Sequence, residues 1–248
     1  MKLKFFCSFS LAILLIFVLQ INKVNAVNYL LYDPIKQPVT LDRYMPQWLI
    51  YADTGGEQAW HKSPPGTLLD TLADFDIVDG YSNYGGLHLA NKDFPNLSRS
   101  NGYSLTFMVE ILKEEHNRAE RAGFSVIILS QDVNNKTHTS LEIGFQKNRI
   151  FLQNDQPLFG RQAAQENLKF NPVGKGAIEY QIKVKDNEYI LSSGKNLILK
   201  GKLRDYTRFT GLLNPYRFPS FIFLGDDTTS ASAKINLGKI VLQVNSHT

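Results

Sequence analysis

The stretch GFSVIILS, residues 123–130, is apolar at nearly every position. A continuous apolar run of this length predicts a central β-strand that is covered on both faces. Before it, residues 103–112 (YSLTFMVEIL) alternate with a period of two, which is typical of a half-buried strand. After it, LEIGF alternates again and leads into the polar residues 146–148 and then RIFLQ. Two strands joined by a short polar loop of this kind indicate a hairpin in an antiparallel sheet.

Polar turns separate the other apolar stretches of the chain in the same way. Further strands are predicted at residues 178–184, 188–191, 196–203 and 221–224. In the last strand the apolar phase changes across Gly238, which predicts a β-bulge there. The best short helical candidate is residues 67–73. Many short strands, few helices and no internal repeat predict an antiparallel two-sheet β-sandwich, with an up-and-down barrel as the alternative.

The N-terminal segment has the composition of an export signal. Lys2 and Lys4 precede an apolar core at residues 11–19, and small residues follow at positions 24–26. We therefore expect residues 1–26 to be a cleaved signal peptide. Residues 27–47 contain three prolines and are predicted to form an extended lead-in, with regular structure beginning near Trp48. Residues 48–248 form the predicted sandwich domain.

Charge and cysteine content limit the classes of function. The formal charge is +4, and removal of Lys2, Lys4 and Lys23 with the signal leaves +1. A nearly neutral chain lacks the electrostatic footprint of a nucleic-acid-binding protein. The one cysteine, Cys7, lies within the predicted signal, so the mature chain has no disulfide. These features favour a bacterial protein that is secreted or held in the cell envelope or periplasm, without a membrane span.

Three segments carry a resemblance to a known superfamily. RAGFSVIILS, LEIGFQKNRIFLQND and FLGDDTTSASAKINLGKI occur in this order. Together they resemble an exported bacterial domain of the concanavalin A-like (laminin G-like) superfamily. The resemblance implies a jelly roll whose usual ligand surface is the concave sheet and its adjoining loops. That superfamily includes sugar-binding lectins, laminin G-type modules and glycoside-active enzymes, so it implies a fold more firmly than an activity. The Glu-x-Asp-x-x-Glu motif of one enzyme branch is absent from the sequence.

Candidate ligand-binding residues lie in two segments. Glu142 is flanked by Leu141 and Ile143, which we expect to face the core, so its carboxylate is predicted to leave the opposite face of the sheet. In the charged loop predicted at residues 113–121, His116 is a candidate general base, and Arg118 and Arg121 are suited to binding a uronate or sulfate. A solvated turn is the alternative interpretation of that loop, and an exposed outer-face residue is the alternative for Glu142.

Asp226 and Asp227 lie at the exit of an apolar strand, in a turn rich in Thr and Ser. Oxygen-rich turns bind calcium, and residues 132–135 are a candidate source of further ligands. Because adjacent residues leave a strand on opposite sides, we expect the two carboxylates to differ in role. One is predicted to accept hydrogen bonds within its own turn, and the other to face a ligand or ion. A capped turn without a metal cofactor is the favoured interpretation, with calcium left open.

Aromatic residues near loops are candidates for a sugar-stacking platform, although packing at the rim of the core explains them equally well. They are Trp48, Trp60, Tyr81, Tyr84, Tyr206 and Tyr216. The sequence thus favours an exported, non-enzymatic module that binds a polysaccharide, a cell-surface glycan or another surface partner. A polysaccharide lyase or glycoside hydrolase on the same scaffold is one alternative. A purely structural envelope protein is the other.

Overall fold

A computed structural model describes residues 24–44, 49–84, 94–131, 138–211 and 214–247, which form a β-sandwich of two antiparallel sheets. In this part of the chain the eight-stranded sheet contains β1 (Val24–Tyr32), β3 (Glu57–Lys62), β4 (Pro65–Asp70), β6 (Tyr103–His116), β11 (Ile178–Lys185), β12 (Glu188–Ser193), β13 (Asn196–Lys202) and β15 (Ala231–His247). The seven-stranded sheet contains β2 (Leu49–Asp53), β5 (Asp79–Ser82), β7 (Ser125–Gln131), β8 (His138–Gln146), β9 (Arg149–Leu152), β10 (Gln165–Asn167) and β14 (Ser220–Asp226). A short helix, α1 (Leu41–Tyr44), and a 3₁₀ turn, Pro215–Arg217, complete the described elements.

Long central strands organise both sheets. In the eight-stranded sheet the order is β13-β12-β11-β6-β15-β4-β3, and β1 pairs with the C-terminal part of β15. In the seven-stranded sheet the order is β10-β9-β8-β7-β14-β5-β2. The apolar strand β7 therefore lies at the centre of its sheet, between β8 and β14. Both of its faces are buried, which explains why residues 123–130 do not alternate.

The main core fills the space between the sheets with the inward-facing side chains of both. At its centre the rings of Phe107, Phe124, Phe145 and Tyr180 have centroid separations of 5.1 to 6.4 Å. The rings adopt edge-on, tilted and offset arrangements, which aromatic pairs prefer because of their quadrupoles. Because the chain has one cysteine, Cys7, it cannot form an intrachain disulfide. Its stability therefore depends on core packing of this kind and not on cross-links.

Most strand predictions are confirmed. The four segments predicted between residues 178 and 224 correspond to β11, β12, β13 and β14, with ends that differ by two residues at most. The polar loop at residues 146–148 joins β8 to β9 as a hairpin. The register of β15 against β6 shifts between Leu237 and Ile240, which confirms the bulge at Gly238.

Three local predictions are wrong. Residues 67–73 do not form a helix, because residues 65–70 form β4 and pair with β3 and β15 on either side. Regular structure begins before Trp48, since β1 pairs with β15 and α1 follows it. Residues 113–116 belong to β6, not to a loop, because they pair with residues 231–234 of β15. In each case a partner strand distant in sequence decides the conformation.

Most of the predicted signal peptide, residues 1–23, lies outside the described residues. Its last three positions, 24–26, begin strand β1. The cleavage site therefore stays a prediction. Among the described residues, no helix is long and apolar enough to cross a membrane.

Candidate functional site

Glu142 projects from the outer face of the seven-stranded sheet, as predicted from its neighbours. Leu141 and Ile143 lie in the core between the sheets. The Glu142 side chain points the other way, yet the residue is only 1% exposed. Other parts of the chain therefore cover this outer face and bury the carboxyl group.

Two residues from different segments contact the Glu142 carboxyl group. The hydroxyl of Tyr216 donates a short hydrogen bond to Oε2. Nη1 of Arg121 lies 3.9 Å from Oε1. Tyr216 belongs to the 3₁₀ turn, whose N-cap residue Asn214 accepts a 3.0 Å hydrogen bond from the Tyr216 backbone N–H. This cap fixes the turn above β8 and so positions the phenol.

Side chains of the sheet hold the loop that carries Arg121. The Gln146 side-chain amide donates to the backbone carbonyls of Ala119 and Arg121, at 2.7 and 2.6 Å. The Gln153 side-chain amide donates to the carbonyl of Glu120, at 2.5 Å. These bonds satisfy carbonyls in three successive residues of the loop, so the loop is fixed over the ends of β8 and β9. Arg121 is thereby placed near Glu142 at little further entropic cost.

Asp227 approaches the same site from the end of β14. Its carboxylate accepts a hydrogen bond from the side chain of Ser125. Ser125 begins β7 and is in register with Gly144 and Gly225 on the two neighbouring strands. Burial raises the pKa of Asp227, while the Arg121 charge and the Ser125 hydrogen bond lower it. We refer to Arg121, Ser125, Glu142, Tyr216 and Asp227 as the Glu142 cluster.

The electrostatics of the Glu142 cluster favour a protonated Glu142 near neutral pH. Burial raises the pKa of Glu142 to about 8, and the negative charge of Asp227 adds to that effect. The Tyr216 hydrogen bond and the Arg121 charge oppose it. Two carboxyl groups thus share one guanidinium group in a site of low dielectric, where both cannot be charged without a cost.

Gln153 adds a polar group beside Glu142. The two residues are neighbours across β8 and the end of β9, where the Gln153 N–H donates to the Glu142 carbonyl at 2.9 Å. Gln153 is 2% exposed, and its side-chain oxygen has no hydrogen-bond partner among the described residues. A buried acceptor without a donor is unfavourable by about 1 to 3 kcal/mol.

An aromatic cluster covers the outer face around these polar groups. Its buried members are Ile127, Leu129, Tyr206, Tyr216, Phe221 and Phe223, and its half-buried members are Tyr84, Leu158, Phe159, Phe209 and Phe218. The guanidinium carbon of Arg121 lies 4.8 Å from the ring centroid of Phe159, which is a cation–π contact. The half-buried rings of Phe159 and Phe209 pack against Tyr216, at 5.8 and 5.7 Å. The outer face therefore combines aromatic surface with a charged polar centre.

The structure brings two of the four predicted ligand residues to one place. Glu142 and Arg121 lie together. His116 lies at the end of β6 in the other sheet, where its Nδ1 is 2.8 Å from Oε1 of Glu114. Burial raises the pKa of Glu114. Arg118 is exposed. From the sequence, Tyr216 was predicted only as an aromatic residue near a loop, and Ser125 and Gln153 were not predicted as site residues. Contacts between distant segments place all three beside Glu142.

Asp226 and Asp227 differ in role, as predicted. Asp226 is fully buried, and its carboxylate accepts hydrogen bonds from the Thr71 hydroxyl at 2.7 Å and the Thr228 N–H at 3.2 Å. The second bond lies within its own turn. Burial raises the pKa of Asp226 well above its ordinary value. Asp227 instead faces Ser125 and Arg121 on the other side of the sheet.

Within the part of the chain that the structure describes, no group of three or more His, Cys, Asp or Glu side chains is arranged to hold a metal ion. The proposed further calcium ligands at residues 132–135 lie outside the described residues. Calcium binding by Asp226 and Asp227 therefore stays a prediction.

Comparison with known proteins gives structural matches alone. No protein-family model matches the sequence, and no curated protein matches it significantly. The conserved carbohydrate esterase of the Shiga toxin-encoding bacteriophage phi24B is similar in structure, with a TM-score of 0.57 and 9% identity over 89% of this chain and 100% of the esterase. The metal-free carbohydrate recognition domain of Emp46p has a TM-score of 0.48 and 10% identity, over 86% and 95% of the two chains. Alginate lyase A1-II' has a TM-score of 0.44 and 13% identity, over 77% and 83%.

These matches concern the fold. The three proteins named are, by their descriptions, a carbohydrate esterase, a carbohydrate recognition domain and an alginate lyase. The match to the phage esterase, together with the two antiparallel sheets, shows that this chain is an antiparallel two-sheet β-sandwich. At identities of 9 to 13% they carry no residue assignment to this chain.

Proposed function

We propose that the protein is an exported carbohydrate-binding module, and that it binds a glycan on the outer face of the seven-stranded sheet. The observation that carries the proposal is the Glu142 cluster, a charged polar centre surrounded by half-buried aromatic rings. Export is inferred from the N-terminal segment at residues 1–26.

The chemistry of the cluster suits a sugar. Sugar hydroxyls donate and accept hydrogen bonds, and the C–H face of a sugar ring packs on aromatic surface. Arg121 is partly accessible and offers donors, and Asp227 offers an acceptor beside it. Phe159 and Phe209 provide apolar surface beside them. The buried Glu142 and Tyr216 support Arg121 from below.

The fold also supports this proposal, since the phage protein with the same fold is a carbohydrate esterase. A glycan array that covers neutral and acidic polysaccharides, with calcium and then with a chelator, tests it directly. We expect binding to at least one glycan class. The absence of binding to every glycan of the array, both with calcium and with the chelator, would contradict the proposal.

Substitutions then locate the binding surface. Arg121→Ala and Asp227→Asn are expected to weaken glycan binding about tenfold or more, because each removes a charged hydrogen-bonding group worth roughly 1.5 to 3 kcal/mol. Arg118→Ala, three residues earlier on the exposed part of the same segment, is the matched control and should retain binding. Equal losses in Arg118→Ala and Arg121→Ala would place the ligand elsewhere.

A second candidate function is cleavage of a polysaccharide. The specific observation that favours it is the pair of carboxyl groups in one buried site, with the pKa of Glu142 raised to about 8 beside Asp227. A protonated carboxyl and a neighbouring carboxylate have the properties of a general acid and a general base. His116, the general base predicted from the sequence, instead forms a hydrogen bond with Glu114 in the other sheet.

Incubation with alginate, pectin and glycosaminoglycans separates the two functions. Cleavage would produce new unsaturated or reducing ends, and Glu142→Gln should abolish it while the fold is retained. If binding is observed but no new ends form on any of these substrates, the binding function stands and the enzymatic candidate is rejected.

A further inference from the structure

A cleft opens at the edge of the sandwich, where strand β3 ends the eight-stranded sheet. Its volume is about 490 Å³, within the range of small-molecule sites. One wall is formed by residues 38–40 and by Asp42 and Arg43 of α1, and the other by Gly56, Gln58, Ala59 and Trp60. It is separate from the Glu142 cluster, which lies on β7, β8 and the loops above them.

Hydrogen bonds to the sandwich fix the wall that contains α1. The Tyr32 hydroxyl donates to the Val39 carbonyl at 2.9 Å, and the Leu41 N–H donates to Oγ1 of Thr67 at 2.8 Å. Thr67 is fully buried on β4 and lies opposite Trp60 in the β3–β4 register. The wall is therefore anchored to the same strand pair that carries the indole, so the cleft is preformed.

The side of the cleft on β3 is also fixed. Gln58 donates a 2.6 Å hydrogen bond to Asp79 and accepts a 2.5 Å hydrogen bond from the Tyr81 hydroxyl. These contacts join the edge of the eight-stranded sheet to strand β5 of the other sheet. Gln58 and Trp60 are two residues apart on β3 and therefore lie on the same face of that strand.

Trp60, Asp42 and Arg43 bring hydrogen-bonding groups to the cleft. The indole nitrogen of Trp60 is buried and has no hydrogen-bond acceptor among the described residues. Asp42 and Arg43 are adjacent on α1 and line the same cleft. Buried indole N–H groups usually have an acceptor, because leaving one without costs about 1 to 3 kcal/mol.

We propose that this cleft is a second binding site, which takes a neutral sugar residue. Trp60, with Val39 and Ala59, provides apolar surface for the face of the ring. Arg43 provides donors and Asp42 provides an acceptor, which matches the mixed character of hydroxyl groups. The charges of Asp42 and Arg43 cancel. The attraction of an acidic sugar to Arg43 would therefore be offset by its repulsion from Asp42, so a neutral sugar is favoured.

The two tryptophans of the chain, Trp48 and Trp60, make the site directly observable. In a ¹⁵N-labelled sample each gives one indole N–H signal, and comparison with the Trp48→Phe variant assigns the Trp60 signal. Cellobiose, maltose, lactose and N,N'-diacetylchitobiose are added separately, up to about 10 mM, which is tenfold above a millimolar dissociation constant. We expect at least one of these neutral disaccharides to shift the Trp60 signal in a saturable manner.

Variants of the two charged residues provide the controls. Arg43→Ala and Asp42→Ala are each expected to weaken the response about tenfold, by loss of one charged hydrogen bond. Lys36→Ala changes an exposed cation of the same segment outside the cleft and should leave the response unchanged. Arg121→Ala should also leave it unchanged, because Arg121 belongs to the other site.

Three results would overturn the proposal. They are the absence of a Trp60 shift with all four disaccharides, an undiminished shift in Arg43→Ala and Asp42→Ala, and loss of the shift in Arg121→Ala. The last result would assign the binding to the Glu142 cluster alone. Conversely, loss of glycan-array binding in Arg121→Ala with an intact Trp60 response would show two independent sites.

Discussion

The stability of the protein should depend on pH through Glu142. In the folded state burial raises the pKa of this carboxyl group from an ordinary 4.5 to about 8. The folded state therefore holds the proton more tightly than the unfolded state does. The stabilising contribution is fully present below pH about 4.5, and it is lost as the pH rises through about 8. At about 1.36 kcal/mol per pH unit, the free energy of unfolding should fall by about 5 kcal/mol across this interval.

Glu142→Gln isolates this contribution, because glutamine keeps an acceptor for the Tyr216 hydroxyl and cannot ionise. At pH 5 the variant and the wild type should differ by no more than about 2 kcal/mol, as for an ordinary substitution. At pH 9 the variant should gain about 3 to 5 kcal/mol relative to the wild type. The lower value allows for rearrangement of the coupled carboxyl of Asp227.

Urea denaturation at pH 5, 7 and 9 measures these differences. Glu179→Gln, on the exposed face of β11, is the matched control and should follow the wild type at all three values. Titrations of buried carboxyl groups that do not interact with Glu142 occur in every variant and cancel in the comparison. Parallel stability curves for Glu142→Gln and the wild type would refute the inferred burial of a protonated Glu142.

Other substitutions test the turn, the loop and the core. Asp226→Ala should destabilise the protein by about 1 to 3 kcal/mol through lost hydrogen bonds, measured by urea denaturation. Thermal melts with calcium and with a chelator should coincide. If calcium does bind, a concentration of about 100 times its dissociation constant would raise the free energy of unfolding by about 2.7 kcal/mol. The double variant Asp226→Ala, Asp227→Ala would then lose that gain. Gln146→Ala frees two loop carbonyls and should weaken glycan binding about tenfold, by titration calorimetry, with less than about 2 kcal/mol lost from unfolding. Phe107→Ala in the core should lower the free energy of unfolding by about 3 to 5 kcal/mol. The control Leu168→Ala, at a position that is 65% exposed, should lower it by about 0.5 kcal/mol.

Most strands, and the direction in which their side chains point, could be predicted from neighbours along the chain. Alternation is a property of neighbours along the chain, so Leu141 and Ile143 were enough to place Glu142 on the opposite face. The same local logic located the bulge at Gly238 and separated the roles of Asp226 and Asp227. Conversely, residues 67–73 could not be assigned locally, because pairing with β3 and β15 overrode their weak helical pattern.

The groups that meet on the outer face come from distant segments, and their meeting depends on tertiary packing. Tyr216 is 74 residues from Glu142 in sequence, and the loop of Arg121 reaches the carboxyl because Gln146 and Gln153 hold its backbone. No pattern of spacing encodes such contacts, since they depend on how separate loops fold over the finished sheet. Burial follows from the same packing. It changed Glu142 from a predicted surface acceptor into a covered carboxyl group with a raised pKa.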